Sequence, residues 1–430
     1  MKVLVLDQTH GGDRIGREHR RLGHDVTLVD VYGTMSAEER RALRDEGIRC
    51  EVRAPPEKFD LAIVPVHCPD RFLADARYDE RITHHEAVGR LVRFKMPVIE
   101  VTGVSGKTSA CHIIAHMLSM TGRTVLLHTS RGDLRLKGDK IEVIKEKTSI
   151  APASLIELAG LEGFDVAVLE ESLGGCGIGD VCCITNLNDD YGIAGGTRKA
   201  LDGKVQMVRL AKKKVVFPER ERDLWSPYLP EGVEDTTFGS EGDVHVEFGR
   251  ELQLGVPLEL RVFDGGSVYS VSLSSMFLAP AYTNAFETSL AAMKALGIDM
   301  EATVRSLSSF KGVPGRGEIE REGMWYMVRE RNPGVGARSI GWNISILEDL
   351  YGISDIGLVI DPVNAKVCEK LDMHAVLRVV AEKHSVKKVY LFERRCGEGR
   401  RWPDLERIKN AYEVWGKHKV VLWCTKEGFL

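Results

Sequence analysis

The sequence lacks any apolar run near the roughly 18 residues that a helix needs to span a bilayer, and its 430 residues carry a formal net charge of only −4. The first absence argues against a membrane-spanning helix, and the balanced charge gives no reason to expect nucleic acid or a membrane surface as partner. The first residues form a strand-like pattern and not a signal peptide. We therefore expect a cytoplasmic protein that binds neither nucleic acid nor membrane.

Closely spaced cysteine pairs are also missing. The nine cysteines contain no Cys-x-x-Cys, which is the spacing common to many zinc and redox sites. The adjacent Cys182 and Cys183 fall in a predicted strand, where their side chains would face opposite sides. We expect reduced, buried thiols, as is usual in the cytoplasm; a metal or redox role for Cys176, Cys182 or Cys183 is the alternative.

The length and composition predict several α/β domains. With 430 residues, 43% hydrophobic and 28% charged, the chain is globular in composition and too long for one core. Strand-like and helical segments alternate almost throughout, which favours parallel sheets. Residues 244–273 differ, because short alternating strands with glycine turns are typical of an antiparallel sheet. Residues 312–317 have the composition of a hinge, and we predict domains at 1–95, 96–312 and 313–430.

A phosphate-binding loop is the clearest motif. Residues 100–109 are Glu-Val-Thr-Gly-Val-Ser-Gly-Lys-Thr-Ser, placed between a strand pattern and a predicted helix that begins at Lys107. Backbone N–H groups and the positive helix end converge there on an anion. Lys107 would neutralise the β- and γ-phosphates, and the Thr108 hydroxyl would coordinate Mg²⁺. The predicted nucleotide contacts in this loop are Gly103, Val104, Ser105, Gly106, Lys107, Thr108 and Ser109.

The loop is shorter than the common P-loop, because Val101 stands where the first glycine would be. Its Gly-x-x-Gly-Lys-Thr resembles the Gly-Thr-Asn-Gly-Lys-Thr-Thr of the Mur ligases and folylpolyglutamate synthases. The resemblance implies a three-domain α/β architecture with a Rossmann-like N-terminal domain, a central P-loop ATPase domain and a Rossmann-like C-terminal domain. It also implies a ligase that uses ATP and Mg²⁺ to activate a carboxylate as an acyl phosphate.

Further motifs of that family follow in order. A Glu-Glu-Ser after a predicted strand resembles the family's Glu-x-Ser-Ser, which implies Glu170 as a Mg²⁺ ligand. Glu171 is the alternative, since only the strand register separates the two. Asp190 falls on the acid of the family's Thr-Asn-Ile-x-x-Asp-His, whereas Tyr191 replaces the histidine. Lys204 lies where the family has a carbamylated lysine that binds metal, and an unmodified surface lysine is the alternative.

The resemblance is weaker towards the C-terminus. Asn284 resembles the nucleotide-contacting His-Asn region of the family. Arg316, in Pro-Gly-Arg-Gly-Glu, resembles its Gly-Arg linker, and a guanidinium on a hinge could stabilise the γ-phosphate during transfer. The family's Asp-x-Ala-His-Asn-Pro keeps only Asn332 and Pro333, so the C-terminal domain should contact its ligands differently from an amino-acid-adding ligase.

Histidines cluster in the N-terminal part. His10 and His67 each follow a predicted strand, at the edge where α/β sheets bind ligands. Because imidazole has a reference pKa near 6.5, either could act as a general base. His84 and His85 begin a helix whose N–H groups suit an anion. The candidates for contacts with substrate carboxylates are His84, His85, Arg131 and Ser149.

Three N-terminal blocks, residues 7–12, 65–72 and 81–89, together with the phosphate loop resemble the Mur-like ligases of methanogenic archaea that complete the nickel tetrapyrrole coenzyme F(430). The resemblance implies that ATP activates a propionate of a nickel seco-tetrapyrrole, and that an intramolecular carbon nucleophile closes a carbocyclic ring. Two alternatives are a Mur-like amide ligase that adds an amino acid, and an ATP-gated nickel-tetrapyrrole carrier that forms no bond. The oligomeric state does not follow from the sequence.

Overall fold

The computed structural model describes residues 1–188, 190–249, 252–363, 370–393 and 404–427. The chain divides into two compact units, one formed by Met1–Asp243 with Thr288–Ile298 and the other by Val244–Glu287 with Asp299–Leu430. Each unit has its own buried apolar clusters. None of the helices in the described residues combines the length and apolar character that crossing a membrane requires.

The first unit begins with a five-stranded parallel sheet in the order β3-β2-β1-β4-β5. The strands are β1 (Lys2–Leu6), β2 (Asp25–Val29), β3 (Arg49–Glu51), β4 (Lys58–Ile63) and β5 (Arg77–Ile82). The helices are α1 (Asp13–Arg21), α2 (Ala37–Asp45) and α3 (His84–Leu91). The order is Rossmann-like, and it reverses between β1 and β4, so the crevice that binds ligands in such sheets lies beyond the carboxyl ends of these two strands.

A second sheet of the first unit has the order β15-β14-β11-β6-β10-β7-β8-β9. Its strands are β6 (Val98–Thr102), β7 (Val125–Thr129), β8 (Gly132–Lys137), β9 (Lys140–Glu146), β10 (Val166–Glu170), β11 (Val181–Ile184), β14 (Lys214–Pro218) and β15 (Glu234–Phe238), with β12 (Gly192–Ile193) and β13 (Arg198–Lys199) forming a separate pair. The helices are α4 (Lys107–Met120), α5 (Ser154–Leu158), α6 (Ala200–Leu210) and α7 (Arg222–Trp225). Every residue of β6 is buried between β10 and β11, as its apolar pattern predicts.

The second unit contains an antiparallel and a mostly parallel sheet. The antiparallel strands are β16 (Val244–Phe248), β17 (Leu258–Asp264) and β18 (Ser267–Leu273), where the sequence predicts such a sheet. The other sheet has the order β19-β20-β24-β21-β22-β23 in the described residues, with only β19 antiparallel to its neighbour. Its strands are β19 (Arg316–Glu322), β20 (Trp325–Asn332), β21 (Ile356–Asp361), β22 (Val386–Phe392), β23 (Glu406–Ile408) and β24 (Val420–Lys426).

The remaining helices are α8 (Thr283–Ala295), which contributes residues to both units, α9 (Met300–Ser306), α10 (Ala337–Ser345) and α11 (Met373–Ala381). The Rossmann-like N-terminal sheet, the central sheet and the C-terminal parallel sheet agree with the predicted α/β class. The domain boundaries predicted at 95/96 and 312/313 stay a proposal. The seven cysteines among the described residues are buried and form no disulfide with one another, and no role for them in metal binding or redox chemistry is established.

Candidate active site

The predicted phosphate loop connects β6 to α4, and the helix begins at Lys107 as the sequence predicts. Gly103 and Gly106 have φ values of 143° and 81°, a region that side-chain-bearing residues avoid. At Gly103 the close approach matters as well, because an added Cβ would lie 2.0 Å from Thr185 Oγ1. The glycine at position 103 is therefore required by backbone conformation and by packing together.

The loop is fixed from the adjacent strand by Thr185 and Asn186, both fully buried. The amide of Val104 donates to the backbone carbonyl of Asn186 at 3.0 Å. The amide of Ser105 donates to the side-chain Oδ1 of Asn186 at 3.2 Å. Its Nδ2 and the Thr185 hydroxyl donate to the Ser105 carbonyl at 3.1 and 2.6 Å. The amides of Val104 and Ser105 are thus directed at Asn186, which leaves those of residues 106–108 as the candidates for a phosphate.

The side chains of Lys107 and Thr108 form hydrogen bonds with different parts of the site. Lys107 Nζ donates to the carbonyl of Gly103 at 3.1 Å. Thr108 Oγ1 donates to Glu170 Oε1 at 2.9 Å, and the amide of Ser130 donates to Glu170 Oε2 at 3.2 Å. Oxygen ligands of an octahedral Mg²⁺ at about 2.1 Å lie about 3 Å apart. The hydroxyl of Thr108 and the carboxylate of Glu170 therefore fit a shared magnesium ion.

The strand register separates Glu170 from Glu171. Glu171 belongs to a buried cluster with Glu100 and Cys176, whose thiol donates to Glu171 Oε2 at 3.0 Å. Burial and the charge of Glu100 raise the pKa of Glu171 well above its usual range, which favours the protonated form of this carboxyl. A metal role for Glu171 beside Thr108, the alternative that the sequence leaves open, is not supported by this placement.

Lys204 lies in α6 and is completely buried. Its Nζ has no hydrogen-bond partner among the described residues and lies 5.8 Å from the ring centroid of Tyr191. Burial, reinforced by the charge of Lys107, lowers the pKa of Lys204 to about 7, and the charge of Asp190 opposes the shift. The alternative of a surface lysine is therefore wrong, because a solvated amine would be exposed. Asp190 Oδ1 accepts from the amide of Leu201 at 2.9 Å and so caps the same helix.

Asp7, His10 and His67 form a compact polar cluster at the crevice beyond β1 and β4. Asp7 Oδ2 lies 2.6 Å from His10 Nδ1 and 3.2 Å from His67 Nε2, and the two imidazole nitrogens are 3.3 Å apart. Burial alone would raise the pKa of Asp7, but hydrogen bonds and charge from the histidines hold it well below its usual range. Our sequence reasoning selected both histidines and missed Asp7, although its position at the end of the first strand, three residues before His10, was a usable signal.

His84 and His85 are buried in the first turn of α3. His84 Nε2 bonds to the carbonyl of Leu6 at 2.8 Å, and His85 Nε2 bonds to that of Ser172 at 3.0 Å. Burial lowers their pKa values to about 3 and about 4, so both rings are neutral at neutral pH. Neither ring reaches solvent, and the predicted contact with substrate carboxylates receives no support from this placement.

Arg131 and Ser149 lie on two neighbouring segments of the second sheet. The carbonyl of Arg131 accepts from the amide of Lys147 at 3.4 Å, and the Thr148 hydroxyl donates to the Thr129 carbonyl at 3.0 Å. Arg131 is half-buried and Ser149 is exposed. The structure thus brings these two predicted substrate contacts onto adjacent loops, and their role stays a prediction.

Arg316 begins β19 in the second unit, and its carbonyl accepts a hydrogen bond of 2.7 Å from the Tyr282 hydroxyl. Opposite Arg316 on β20 stands Glu330, which accepts from the amide of Gly317 at 2.8 Å. Burial raises the pKa of Glu330, against the opposing charge of Arg316. Asn284 lies half-buried in the first turn of α8. The predicted nucleotide contacts of Asn284 and Arg316 stay predictions.

Comparison with known proteins identifies the family. No family model matches the chain. Coenzyme F(430) synthetase from Methanosarcina acetivorans is 32% identical over 376 residues, covering 78% of this chain and 77% of the relative. Coenzyme F(430) synthetase from Methanocaldococcus jannaschii is 25% identical over 390 residues, covering 85% and 86%.

Among solved structures, the MurF ligase from Thermotoga maritima in complex with ADP shares the fold with a TM-score of 0.59 at 18% identity, covering 93% of this chain and 91% of that chain. The predicted three-domain Mur-ligase-like α/β class is confirmed. Because it is 32% identical to the coenzyme F(430) synthetase from Methanosarcina acetivorans, the chain belongs to the coenzyme F(430) synthetases, a family of ATP-dependent ligases built on the Mur ligase fold.

Proposed function

We propose that the protein uses ATP to phosphorylate a propionate carboxylate of a nickel seco-tetrapyrrole. A carbon nucleophile of the same molecule then attacks the acyl phosphate and closes a carbocyclic ring, with release of ADP and phosphate. The observation that carries the proposal is the phosphate loop at the end of β6, with the Thr108–Glu170 pair beside it, in a chain 32% identical to a coenzyme F(430) synthetase.

Phosphoryl transfer depends on charge neutralisation around the transferring group. We propose that Lys107 turns from the Gly103 carbonyl to the β- and γ-phosphates, and that Thr108 and Glu170 hold Mg²⁺. The bound ion would neutralise part of the negative charge on the phosphates. Arg316 is a further proposed phosphate contact, since a guanidinium matches phosphate geometry. The site residues in this scheme are proposals that rest on their geometry within each unit and on the family's motifs.

Lys204 is proposed to be carbamylated. Its neutral amine can attack CO₂, forming an N–C bond and releasing one proton, and the product is an anion able to bind a metal. The burial of Nζ without a hydrogen-bond partner among the described residues favours such a modification, because an unpaired ammonium in that place would be costly. Tyr191 faces the amine where the family has a histidine.

Ring closure also requires a base, because the attacking carbon must lose a proton. His10 and His67 are the proposed acceptors, and Asp7 orients both. Excluding water from the site would protect the acyl phosphate from hydrolysis.

The direct experiment incubates the protein with ATP, Mg²⁺ and a nickel seco-tetrapyrrole that bears the propionate, and follows absorption together with phosphate release. One ADP and one phosphate per new ring would support the proposal. Pigment binding without phosphate release would instead identify a carrier, and phosphate release that requires an added amino acid would identify an amide ligase.

A further inference from the structure

Three metal-ligating atoms converge at the switch point of the N-terminal sheet. Asp7 Oδ2, His10 Nδ1 and His67 Nε2 are separated by 2.6, 3.2 and 3.3 Å. They come from the segments that follow β1 and β4, so residues far apart in sequence meet where such sheets bind ligands. A general base requires only one imidazole, whereas two imidazole nitrogens lie against one carboxylate oxygen here.

These separations match the spacing of ligands around one small metal ion. With metal–ligand distances of about 2.0–2.1 Å, neighbouring ligand atoms lie about 3.3 Å apart in tetrahedral and about 2.9 Å apart in octahedral coordination. A triangle with sides of 2.6, 3.2 and 3.3 Å places an ion on one side of its plane and leaves further coordination positions open. Two histidines and one carboxylate on one face form a ligand set that divalent transition metals prefer.

The carboxylate is held rigidly in position. Asp7 is completely buried and adopts φ 72° and ψ 84°, a left-handed conformation that is rare for a residue with a side chain. Its Oδ1 accepts the amide of His10 at 3.3 Å, which leaves Oδ2 towards the imidazoles. A Cβ on Gly12 would lie 2.5 Å from the Asp7 carbonyl, so the turn that fixes this conformation depends on glycine.

The open side of the triangle faces outward. The side chain of Asp7 is wholly buried, whereas those of His67 and His10 are 21% and 45% exposed. The ring of Tyr32, itself partly exposed, stands edge-on 5.8 Å from His10. The buried carboxylate of Asp7 would therefore bind an ion from the protein interior. A further ligand would reach the ion from solvent, next to the more exposed His10.

We propose that Asp7, His10 and His67 bind one divalent first-row transition-metal ion, such as Zn²⁺, Co²⁺ or Ni²⁺, separate from the magnesium of the phosphate loop. Two imidazoles disfavour Mg²⁺, which prefers oxygen ligands. The ion is free and not the centre of a macrocycle, because a planar tetrapyrrole offers its metal one ligand position per face, whereas three protein atoms converge here.

The inference goes beyond the proposed function and limits one part of it. A bound ion uses the lone pairs of His10 Nδ1 and His67 Nε2. Those two atoms then cannot accept the proton that ring closure releases. Metal content therefore decides whether the cluster serves as a metal site or as a general base through these nitrogens.

The test uses the full-length protein without ATP or tetrapyrrole. Metal-free protein is titrated with Co²⁺, whose visible absorption reports coordination by nitrogen, and then with Zn²⁺, followed by elemental analysis after desalting. We expect one tightly held equivalent that a large excess of Mg²⁺ does not displace. Because an ion that binds only the folded state stabilises it, Zn²⁺ should also raise the melting temperature.

His67→Ala and Asp7→Asn should lose the bound equivalent, the Co²⁺ spectrum and the rise in melting temperature. The control is His24→Ala. His24 and His19 form a second histidine pair, in which the two Nδ1 atoms lie 3.0 Å apart and bond to each other instead of to a shared carboxylate. His24→Ala should bind as the parent protein does. If His67→Ala folds and keeps the equivalent, or if the parent protein takes up none, the metal site is refuted. Ligase turnover is measured separately, so a failure here leaves the proposed ligase reaction untouched.

Discussion

Thr108 Oγ1 donates a hydrogen bond of 2.9 Å to Glu170 Oε1, which joins the first turn of α4 to the end of β10. The next residue, Glu171, faces the opposite side and contacts Cys176. Two adjacent glutamates thus have different surroundings, one beside the phosphate loop and the other in the interior, where burial raises its pKa.

The two glutamates provide a matched pair of variants. We expect Glu170→Gln to lower turnover about 100-fold or more, because charge neutralisation by a bound metal contributes several kcal/mol to phosphoryl transfer. Glu171→Gln should change turnover by less than about threefold, since Glu171 lies away from the phosphate loop and an amide resembles the protonated form that its raised pKa favours. Steady-state phosphate release over a range of Mg²⁺ concentrations measures both. Equal losses in the two variants would contradict the assignment of Glu170.

Lys107→Ala should abolish turnover and leave the fold intact. The ammonium group donates to the Gly103 carbonyl within the phosphate loop, and its removal deprives the triphosphate of a positive charge. Phosphate release and the melting temperature are measured together. Turnover that persists in a folded Lys107→Ala protein would show that the loop does not hold the nucleotide as proposed.

Gly103→Ala should damage the loop more than the same substitution at Gly122, another glycine with a positive φ. The new Cβ at position 103 would meet Thr185 Oγ1 at 2.0 Å, whereas at Gly122, with φ 91°, it would meet nothing within 4 Å. A left-handed conformation alone costs a residue with a side chain on the order of 1–2 kcal/mol, and Gly122→Ala measures the effect of a positive φ without a clash. We expect Gly103→Ala to lose nucleotide binding in a calorimetric titration, while Gly122→Ala binds normally. Normal binding by both would contradict the packing argument.

Lys204 should take up CO₂ where an exposed lysine does not. Protein equilibrated with ¹³C-bicarbonate should show a carbamate carbon resonance that disappears in Lys204→Ala. The resonance should persist in Lys199→Ala, because the side chain of Lys199, at the end of β13, is 69% exposed. If the carbamate binds metal, short carboxylates such as formate should restore part of the turnover of Lys204→Ala. A resonance that survives in Lys204→Ala would place the modification elsewhere.

Stability should fall in mild acid because of His85. Its pKa is about 4 in the fold and near 6.5 in an unfolded chain. Above pH 6.5 the ring is neutral in both states and contributes nothing; as the pH falls below 6.5, only the unfolded state binds the proton. The free energy of unfolding should therefore decrease from pH 6.5 to about 4, by on the order of 3 kcal/mol.

His85→Gln isolates this effect, because the amide of glutamine can still donate to the Ser172 carbonyl and does not titrate. Denaturant unfolding at several pH values should show a shallower acid dependence in His85→Gln than in the parent protein. Identical pH profiles would show that the ring is protonated in the folded state.

The sequence predicted the elements around the loop well, since strand β6, the glycine turn and helix α4 depend on short-range patterns. It could not decide between Glu170 and Glu171, because one residue of register reverses the side of a strand. The burial of Lys204 and the contact of Asn186 with the loop could not be predicted for a related reason, because both depend on which segments of the chain pack together. The sequence did not predict that His84 and His85 are buried, because a histidine at a helix start looks the same in sequence whether it faces solvent or the interior.

His84 and His85 are consecutive residues, and yet one bonds to the end of β1 and the other to the segment just after β10. Two adjacent side chains at the start of α3 therefore attach the helix to both sheets of the first unit, the one that ends at the histidine cluster and the one that ends at Glu170. A substitution that removes either ring would release one of these attachments and leave the other in place.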